Sequence, residues 1–598
     1  MTELKPLPPH LTGGNFLLAE TDPALVFTPE DLTSEQRLMA ETAQKFMDKE
    51  VLTQLEKLEH QEPGVAVALI KKAGELGLLG IEIDEEAGGL GLGKKESMGV
   101  AEQLSRLAGF GVSCGAHSGI GAQPLACFGT PEQKAKYLPK LASAEWIAAY
   151  CLSEAGSGSD ALGMKTKAVL SPDKRHYILN GTKMWITNAA WADLFTVFAK
   201  VDGEHVTAFL VERTFPGVST GKEEHKLGIK TSSTRRVILE DTLVPVENVL
   251  GEIGRGAYIA FNILNLGRFS LGSGALGGAK EAVEVAAKYA TERQQFGRPI
   301  LSFGLIQHKL GEMASRIFAL ESAIYRTGGL IDEVMATGEM LHSMKPAIPR
   351  GIEEFAVECS IAKVAGSEIF DEVADEALQI HGGYGYTEEF PAARFTRDAR
   401  INRIFEGTNE INRLFLPGTL LRRAVRGRFP LLPAVTKVAR EVLDLSPSEE
   451  TGDALLDARA LLVNAKKLGL FLSGLGHQKF GEKLVEEQEV LAAISDILID
   501  IYLAESAVLR ALKARGKGRK AAMMTDLVVV FVNEAVARME KRTRDALPVL
   551  AEGDELRAHL GIVRRLLRWS PRDTIRVRRR IATRLAAVGK YSALVAEG

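Results

Sequence analysis

The order of apolar and polar residues changes character three times along this chain. From Thr33 to about Ser143, Leu38, Met39, Ala43 and Phe46 recur at near-helical spacing, which predicts helices. Gly-rich breaks such as Ala87 to Gly93 separate them. From Ala148 to Leu250 the pattern shortens. His176 to Leu179, Leu194 to Phe198 and Val206 to Val211 are apolar or β-branched runs bounded by Asp, Gly and Asn, which predicts strands. From Tyr258 to about Arg423 the helical pattern returns in longer segments. Pro430 to Gly598 also reads as helices, with surface loops over Ser446–Gly452 and Lys513–Lys520.

One β segment between helical blocks argues for segregated domains and against alternating βαβ units. The expected fold class is therefore α+β and multidomain. Its parts are an N-terminal extension (1–32), an N-terminal helical domain (33–147), a central β domain (148–252), a C-terminal helical bundle (253–421) and an additional helical domain (422–598). A length of 598 residues suits about four domain-sized units.

Composition narrows the function classes. The formal net charge of −3 offers no global attraction to nucleic acid. Cys114, Cys127, Cys151 and Cys359 are scattered without C-x-x-C pairing, which favours free thiols in a reducing compartment. Met1 to Phe27 carries Glu3, Glu20 and Asp22 and resembles neither a signal nor a transit peptide. No apolar run approaches the ~20 residues of a membrane span. The expected location is the cytoplasm. No paired His/Cys spacing predicts a metal, and His381 has no partner motif.

Candidate chemistry concentrates in a few segments. Tyr150 to Asp160 (YCLSEAGSGSD) leaves backbone N–H groups and hydroxyls open, suiting close approach of a flavin ring or a pyrophosphate; a flexible polar loop accounts for it equally well. Trp185, in KMWITN, reads by itself as a core aromatic. Arg268, in NLGR, reads as a surface charge and needs a partner if buried. Gly272 to Gly277 matches G-x-G-x-x-G by letter, but its helical flanks exclude a dinucleotide fingerprint and favour close helix packing. Further segments are Arg293 to Gly297 (RQQFG) with Phe303, the turn Gln379 to Gly385 (QIHGGYG), and Arg403 to Glu410 (RIFEGTNE).

In this order, from about residue 35 to residue 421, the segments resemble the acyl-CoA dehydrogenase family. The resemblance implies a β-barrel-like central domain, a C-terminal four-helix bundle and FAD as cofactor. It implies that Glu406 removes the proton next to a thioester carbonyl while the flavin accepts the neighbouring hydrogen as hydride. Leu152, Ser153, Gly158 and Ser159 are implied to contact FAD, with Ser159 also near the acyl-CoA. Trp185 and Ile186 would pack on the flavin, and Thr187 would hydrogen-bond near its N5. Arg293, Phe296 and Phe303, with Thr408 and Glu410, are further implied cofactor contacts, and Gln379 and Gly383 would reach it from a neighbouring subunit. Asn265, Arg268 and Gly407 would join Ser159 and Glu406 around the substrate. Ala155 and Asn265 stand where many members carry Pro and Asp.

Phe303 to Gln307, Gly366 to Glu368 and Arg403 to Leu416 most resemble the very-long-chain and ninth-member branch, whose members carry an extra C-terminal helical domain. That branch implies oxidation of a long saturated acyl-CoA to trans-2-enoyl-CoA in fatty-acid β-oxidation. It also implies a homodimer, an electron-transfer flavoprotein as acceptor, and an acyl cavity lined by the small residues of Gly111 to Gly121. The Arg-rich stretch from Arg564 to Arg584, with Val577, Ile581, Leu585 and Val588 on one helical face, suits an amphipathic helix at the inner face of a membrane; a helix packed on the catalytic core suits the same pattern. Two alternatives share the body of the fold. One is an acyl-CoA oxidase that passes electrons to oxygen, the other an assembly or scaffold protein.

Overall fold

The computed structural model describes residues 7–341, 348–443 and 450–594. Residues 446–449 of the loop expected over Ser446–Gly452 lie outside them, as do residues 1–6 of the extension. The N-terminal helices start with α1 (Ser34–Phe46), whose first turn is closed by a reciprocal Thr33–Gln36 capping box. α2 (Lys94–Leu104) and α3 (Ala108–Gly115) follow, and α3 runs directly into a π-helical turn over Ala116–Gly121. Phe46, Leu79 and Phe110 sit in the core that holds this layer together.

The middle of the chain forms one eight-stranded sheet. Its strands are β1 (Ala148–Cys151), β2 (Lys167–Leu170), β3 (His176–Thr187), β4 (Leu194–Val201), β5 (His205–Glu212), β6 (Val218–Thr220), β7 (Thr234–Pro245) and β8 (Val249–Leu250). The order is β6-β7-β3-β2-β4-β5-β8, with β1 pairing parallel to β4. The three apolar runs of the sequence fall in β3, β4 and β5. Thr234–Pro245 alternates too irregularly to stand out as a strand, yet it pairs along most of β3. β3 itself shifts register twice, between Leu179 and Gly181 and between Lys183 and Ile186. The second irregularity turns Trp185 outward.

Four long helices follow: α4 (Gly256–Glu292), α5 (Gly304–Met335), α6 (Ala356–His381) and α7 (Asn409–Val425). α4 and α6 approach closely because glycine faces backbone. A Cβ on Gly272 would stand 2.9 Å from the carbonyl oxygen of Ala362, and Gly366 lies directly against Gly272. The small residues of Gly272–Gly277 thus serve helix packing, as the flanks implied.

The last third adds α8 (Ala454–Phe480), α9 (Gln488–Lys513), α10 (Gly518–Leu550), α11 (Gly553–Leu566) and α12 (Thr574–Val588). One continuous apolar core joins them to the bundle. Buried ion pairs cross the seam: Arg326 of α5 meets Glu505 of α9 at 2.9 Å, and Arg510 pairs with Glu321 and with Glu30 of the N-terminal segment. α12 packs against α5 and α10. Val577, Ile581 and Leu585 are buried there, and Arg578 lies between Glu312 and Glu534 at 3.4 and 2.7 Å. The Arg-rich helix therefore uses its apolar face on the catalytic bundle, and that face is not free to enter a bilayer. Among the described residues no helix is long and apolar enough to cross a membrane.

Candidate active site

Glu406 sits between the end of a short helical turn and the start of α7. Its φ is +58° and that of Gly407 is +77°, so two successive residues adopt the left-handed conformation. For a glutamate this costs on the order of 1–3 kcal/mol and persists only where neighbours over-determine it. Here they do. Asn412, one turn into α7, donates its side-chain amide to the carbonyls of Gly407 (2.9 Å), Thr408 (3.0 Å) and Glu406 (3.4 Å). Lys363 of α6 donates to the carbonyl of Gly407 at 2.7 Å. Thr408 caps α7 by accepting from the N–H of Ile411.

The carboxylate of Glu406 points into a cavity of about 180 Å³ whose walls include Thr187, Leu266, Gly267, Asn402 and Phe405. Its Oε2 is sealed from solvent and has no hydrogen-bond partner. Burial raises the Glu406 carboxyl to about 7, against the opposing pull of Arg268 and Lys363. A base whose affinity for a proton matches neutral pH suits general base catalysis.

Arg268 is buried on α4. Its Nη1 donates to Asn265 Oδ1 at 3.0 Å, and its guanidinium lies 4.7 Å from the ring centre of Phe415. Burial lowers its affinity for the proton, while the charge of Glu406 acts the other way. Asn265, expected at the substrate, is itself buried and turned to Arg268. It orients that arginine.

The cofactor-contact candidates divide into two groups. In the first, the Met184 N–H donates to the Ser153 carbonyl at 2.9 Å, which lays the Tyr150–Asp160 loop along β3. The loop is pinned, not slack: Glu154 accepts from the N–H groups of Lys165 and Thr166 and from the ammonium of fully buried Lys183 at 2.7 Å. Gly158 and Ser159 remain exposed at its tip, and Leu152 is buried at its base. Trp185 is 59% exposed with φ +62°, so it is no core residue. Alternation sends Ile186 into the β core and Thr187 into the cavity with Glu406. Asn188 then ties the strand end to the carbonyl of Ser113 in α3 at 2.8 Å.

The second group lies at the far end of the bundle. Phe296 packs edge-on to Phe303 at 5.9 Å, and Arg293 lies 5.2 Å from the ring centre of Tyr384. Arg293 and Gly383 border one groove, beside exposed Gln379. Phe296 is 91% exposed. Glu410 is exposed on the first turn of α7, near Thr408. Sequence reasoning missed Lys363, Asn412, Glu154 and Lys183. A single lysine within the apolar run Ser360 to Ala365 was the one available signal for the first.

The residues present fit a flavin: an outward aromatic on a bulged strand, a small-residue loop pinned beside it, and a carboxylate with an unpartnered buried oxygen lining the same cavity as Thr187. Family models agree. An acyl-CoA dehydrogenase N-terminal domain matches residues 33–145, a middle domain 149–242, a C-terminal domain 254–420, and a further C-terminal domain 464–565. A probable acyl-CoA dehydrogenase of Bacillus subtilis is 48% identical over 585 residues, 97% of this chain and 98% of that protein. The human very long-chain specific acyl-CoA dehydrogenase is 36% identical over 506 residues, 78% of this chain and 73% of that one. The crystal structure of an acyl-CoA dehydrogenase complexed with FAD from Bacillus anthracis superposes with a TM-score of 0.95 at 50% identity, covering 97% of this chain and 99% of that one. The chain belongs to the acyl-CoA dehydrogenase family. It is accordingly an oxidoreductase of acyl-CoA thioesters with FAD as its cofactor.

Proposed function

We propose that this enzyme oxidises long-chain saturated acyl-CoA to trans-2-enoyl-CoA as a step of fatty-acid β-oxidation, with Glu406 as the α-proton acceptor. The observation that carries the reading is the shape of the Glu406 cavity. It extends away from the carboxylate between α2, α3, the π-helical turn and α4. Small residues line it, among them Ala101, Ala108, Gly111, Gly115, Gly119 and Gly274. A Cβ built on Gly115 or Gly119 would meet nothing within 4 Å. Open space at these two positions supports an acyl chain that runs past them.

When bound, FAD supplies the hydride acceptor. The chain's own residues do the rest. The carboxylate of Glu406 receives the α-proton, and Arg268 and Lys363 favour its ionised form before the step. The Glu406 N–H, at the start of the turn that the Asn412 and Lys363 contacts fix, is the candidate donor to the thioester oxygen, where charge develops as the proton leaves. Trp185 and Thr187 would hold the ring system, and Leu152, Ser153, Gly158 and Ser159 would line its approach. Burial of the carboxylate excludes water from the reacting atoms, which favours a protein acceptor such as an electron-transfer flavoprotein over oxygen.

The exposed Phe296, Leu305 and Tyr386, 91%, 80% and 84% accessible, support a homodimer in which the Gln379 to Gly383 turn and Arg293 complete a neighbour's cofactor site. Any contact with an anionic membrane surface would fall to exposed arginines such as Arg564, Arg565, Arg568 and Arg579, through charge without insertion. A series of acyl-CoAs from C4 to C18 tests the specificity. The rate of flavin bleaching is expected to rise toward C14–C18, and a maximum at C4 would refute the long-chain reading.

A further inference from the structure

Lys363 lies on α6 within an apolar run and is fully buried. A buried ammonium needs acceptors. It has two, the carbonyl of Gly407 at 2.7 Å and Oδ1 of Asn409 at 2.6 Å, and both belong to the segment that begins with Glu406. Neither acceptor is charged. Asn409 is held in turn by Ser367 and Glu368 at 3.0 and 2.9 Å, so the lysine reaches a fixed frame. Holding the Gly407 carbonyl sets the peptide plane that follows the two left-handed residues. That plane anchors the C-terminal side of the turn from which the Glu406 carboxylate projects.

Geometry alone would be satisfied by any good donor. A cation does something more, because the carboxylate whose charge acts on it most is the one that must be ionised to work. The charged groups facing Lys363 are Glu406 and Glu410 from the turn and α7, Arg268 from α4, and Glu368 from its own helix. Glu368 is already engaged by Arg413, which also binds Asp496 of α9 at 2.6 Å. Glu406 forms no ion pair among the described residues, and Arg268 is its other cationic neighbour.

We propose that Lys363 is a positioning residue of the proton-abstraction step: its two hydrogen bonds lock the Glu406–Gly407 turn, and its charge favours the ionised form of Glu406. The inference rests on Glu406 being the base. Burial pushes the lysine itself down to about 7, so its charge is lost over the same pH range in which Glu406 gains its own.

Exchange of the α-hydrogens of a 3-thia-acyl-CoA in D₂O, followed by NMR from pH 6 to 9, isolates the step, since sulfur at the β position leaves no hydride to transfer. Exchange by the unaltered enzyme tests the base; the Lys363 variants test the proposal. Lys363→Met is expected to exchange about tenfold more slowly at pH 7, with its midpoint about one unit higher. Lys363→Gln still donates a hydrogen bond but carries no charge. It should keep the raised midpoint and recover part of the rate at high pH. Lys363→Arg should keep the midpoint near that of the unaltered enzyme. Flavin absorbance and melting temperature report folding. If the Met variant does not fold, the midpoint of the Gln variant decides. Flavin-loaded Met or Gln variants with an unshifted midpoint would overturn the proposal. Absence of exchange by the unaltered enzyme at every pH would remove the base, and the proposal with it.

Discussion

The carboxylate of Glu406 rests against Gly267: a Cβ built on that glycine would stand 2.8 Å from Glu406 Oε2 and 3.0 Å from Cγ2 of Ile120. Gly267 lies inside α4 with ordinary helical geometry, so no turn requires glycine there. The missing side chain makes room for the base. Gly267→Ala should therefore leave flavin binding and melting temperature nearly unchanged and displace the carboxylate by a fraction of an ångström. Anaerobic reduction by acyl-CoA should slow by about 10- to 100-fold, the scale expected for misplacing a reacting group. Unchanged reduction would mean that the carboxylate works from another position.

The acidity of Glu406 has a consequence for stability. Burial lifts the folded-state carboxyl from 4.5 to about 7, so the folded protein holds this proton more tightly than the unfolded chain does. The associated stability is fully present below pH 4.5 and is lost as pH rises through about 7. Glu406→Gln abolishes the titration. The variant should melt close to the unaltered enzyme at pH 4.5 and above it at pH 8, by at most about 3 kcal/mol in unfolding free energy. A melting difference that does not vary with pH would count against a raised carboxyl.

Parts of the candidate site's geometry were legible in the sequence, and the reasons differ by residue. Glu406 and Thr187 share one cavity as their motifs implied, because each motif carries its own local geometry: a left-handed Glu-Gly pair before a Thr cap, and a strand that ends in Trp-Ile-Thr-Asn. Trp185 read by composition alone looks like core, and only the register shift in β3 brings it to the surface. Lys363 and Asn412 were not legible. Their roles arise where α6 and α7 cross the turn, and no short pattern encodes a crossing. The Arg-rich tail supported two readings, and the burial of Val577, Ile581 and Leu585 against α5 and α10 shows its apolar face packed on the protein. Asn265 was placed at the substrate by analogy; its side-chain oxygen also accepts from Arg268 one helical turn away, a role that no pattern in the sequence announced.

The Glu154–Lys183 pair is the anchor of the flavin-side loop. Lys183 is fully buried and donates to Glu154 Oε1 at 2.7 Å and to the carbonyl of Leu152 at 3.1 Å. Lys183→Met leaves both acceptors without that donor. Removing one partner of a buried pair costs about 3–5 kcal/mol. The loss should appear both as a lower melting temperature and as release of FAD on gel filtration. A variant that melts lower yet retains FAD as tightly as before would show that the pair stabilises the β domain without shaping the loop.

Chain-length preference should respond to the open side of the cavity. Gly115 lines it, and a side chain there meets no protein atom within 4 Å of its Cβ. Gly115→Leu should therefore fold normally and fill acyl space. Reduction by C16 acyl-CoA is expected to fall by about tenfold or more, and reduction by C6 or C8 by much less. An equal loss at every length would place the acyl chain elsewhere.

The most direct test of the whole account is single-turnover anaerobic reduction of the flavin by palmitoyl-CoA, comparing the unaltered enzyme with Glu406→Gln. Gln keeps the size of the side chain and cannot accept the α-proton. The account predicts rapid bleaching by the unaltered enzyme and a loss of at least about 10⁴-fold in the variant, the upper end for a general base, with palmitoyl-CoA still bound. Bleaching of the variant at the rate of the unaltered enzyme would contradict the assignment of Glu406 as the base.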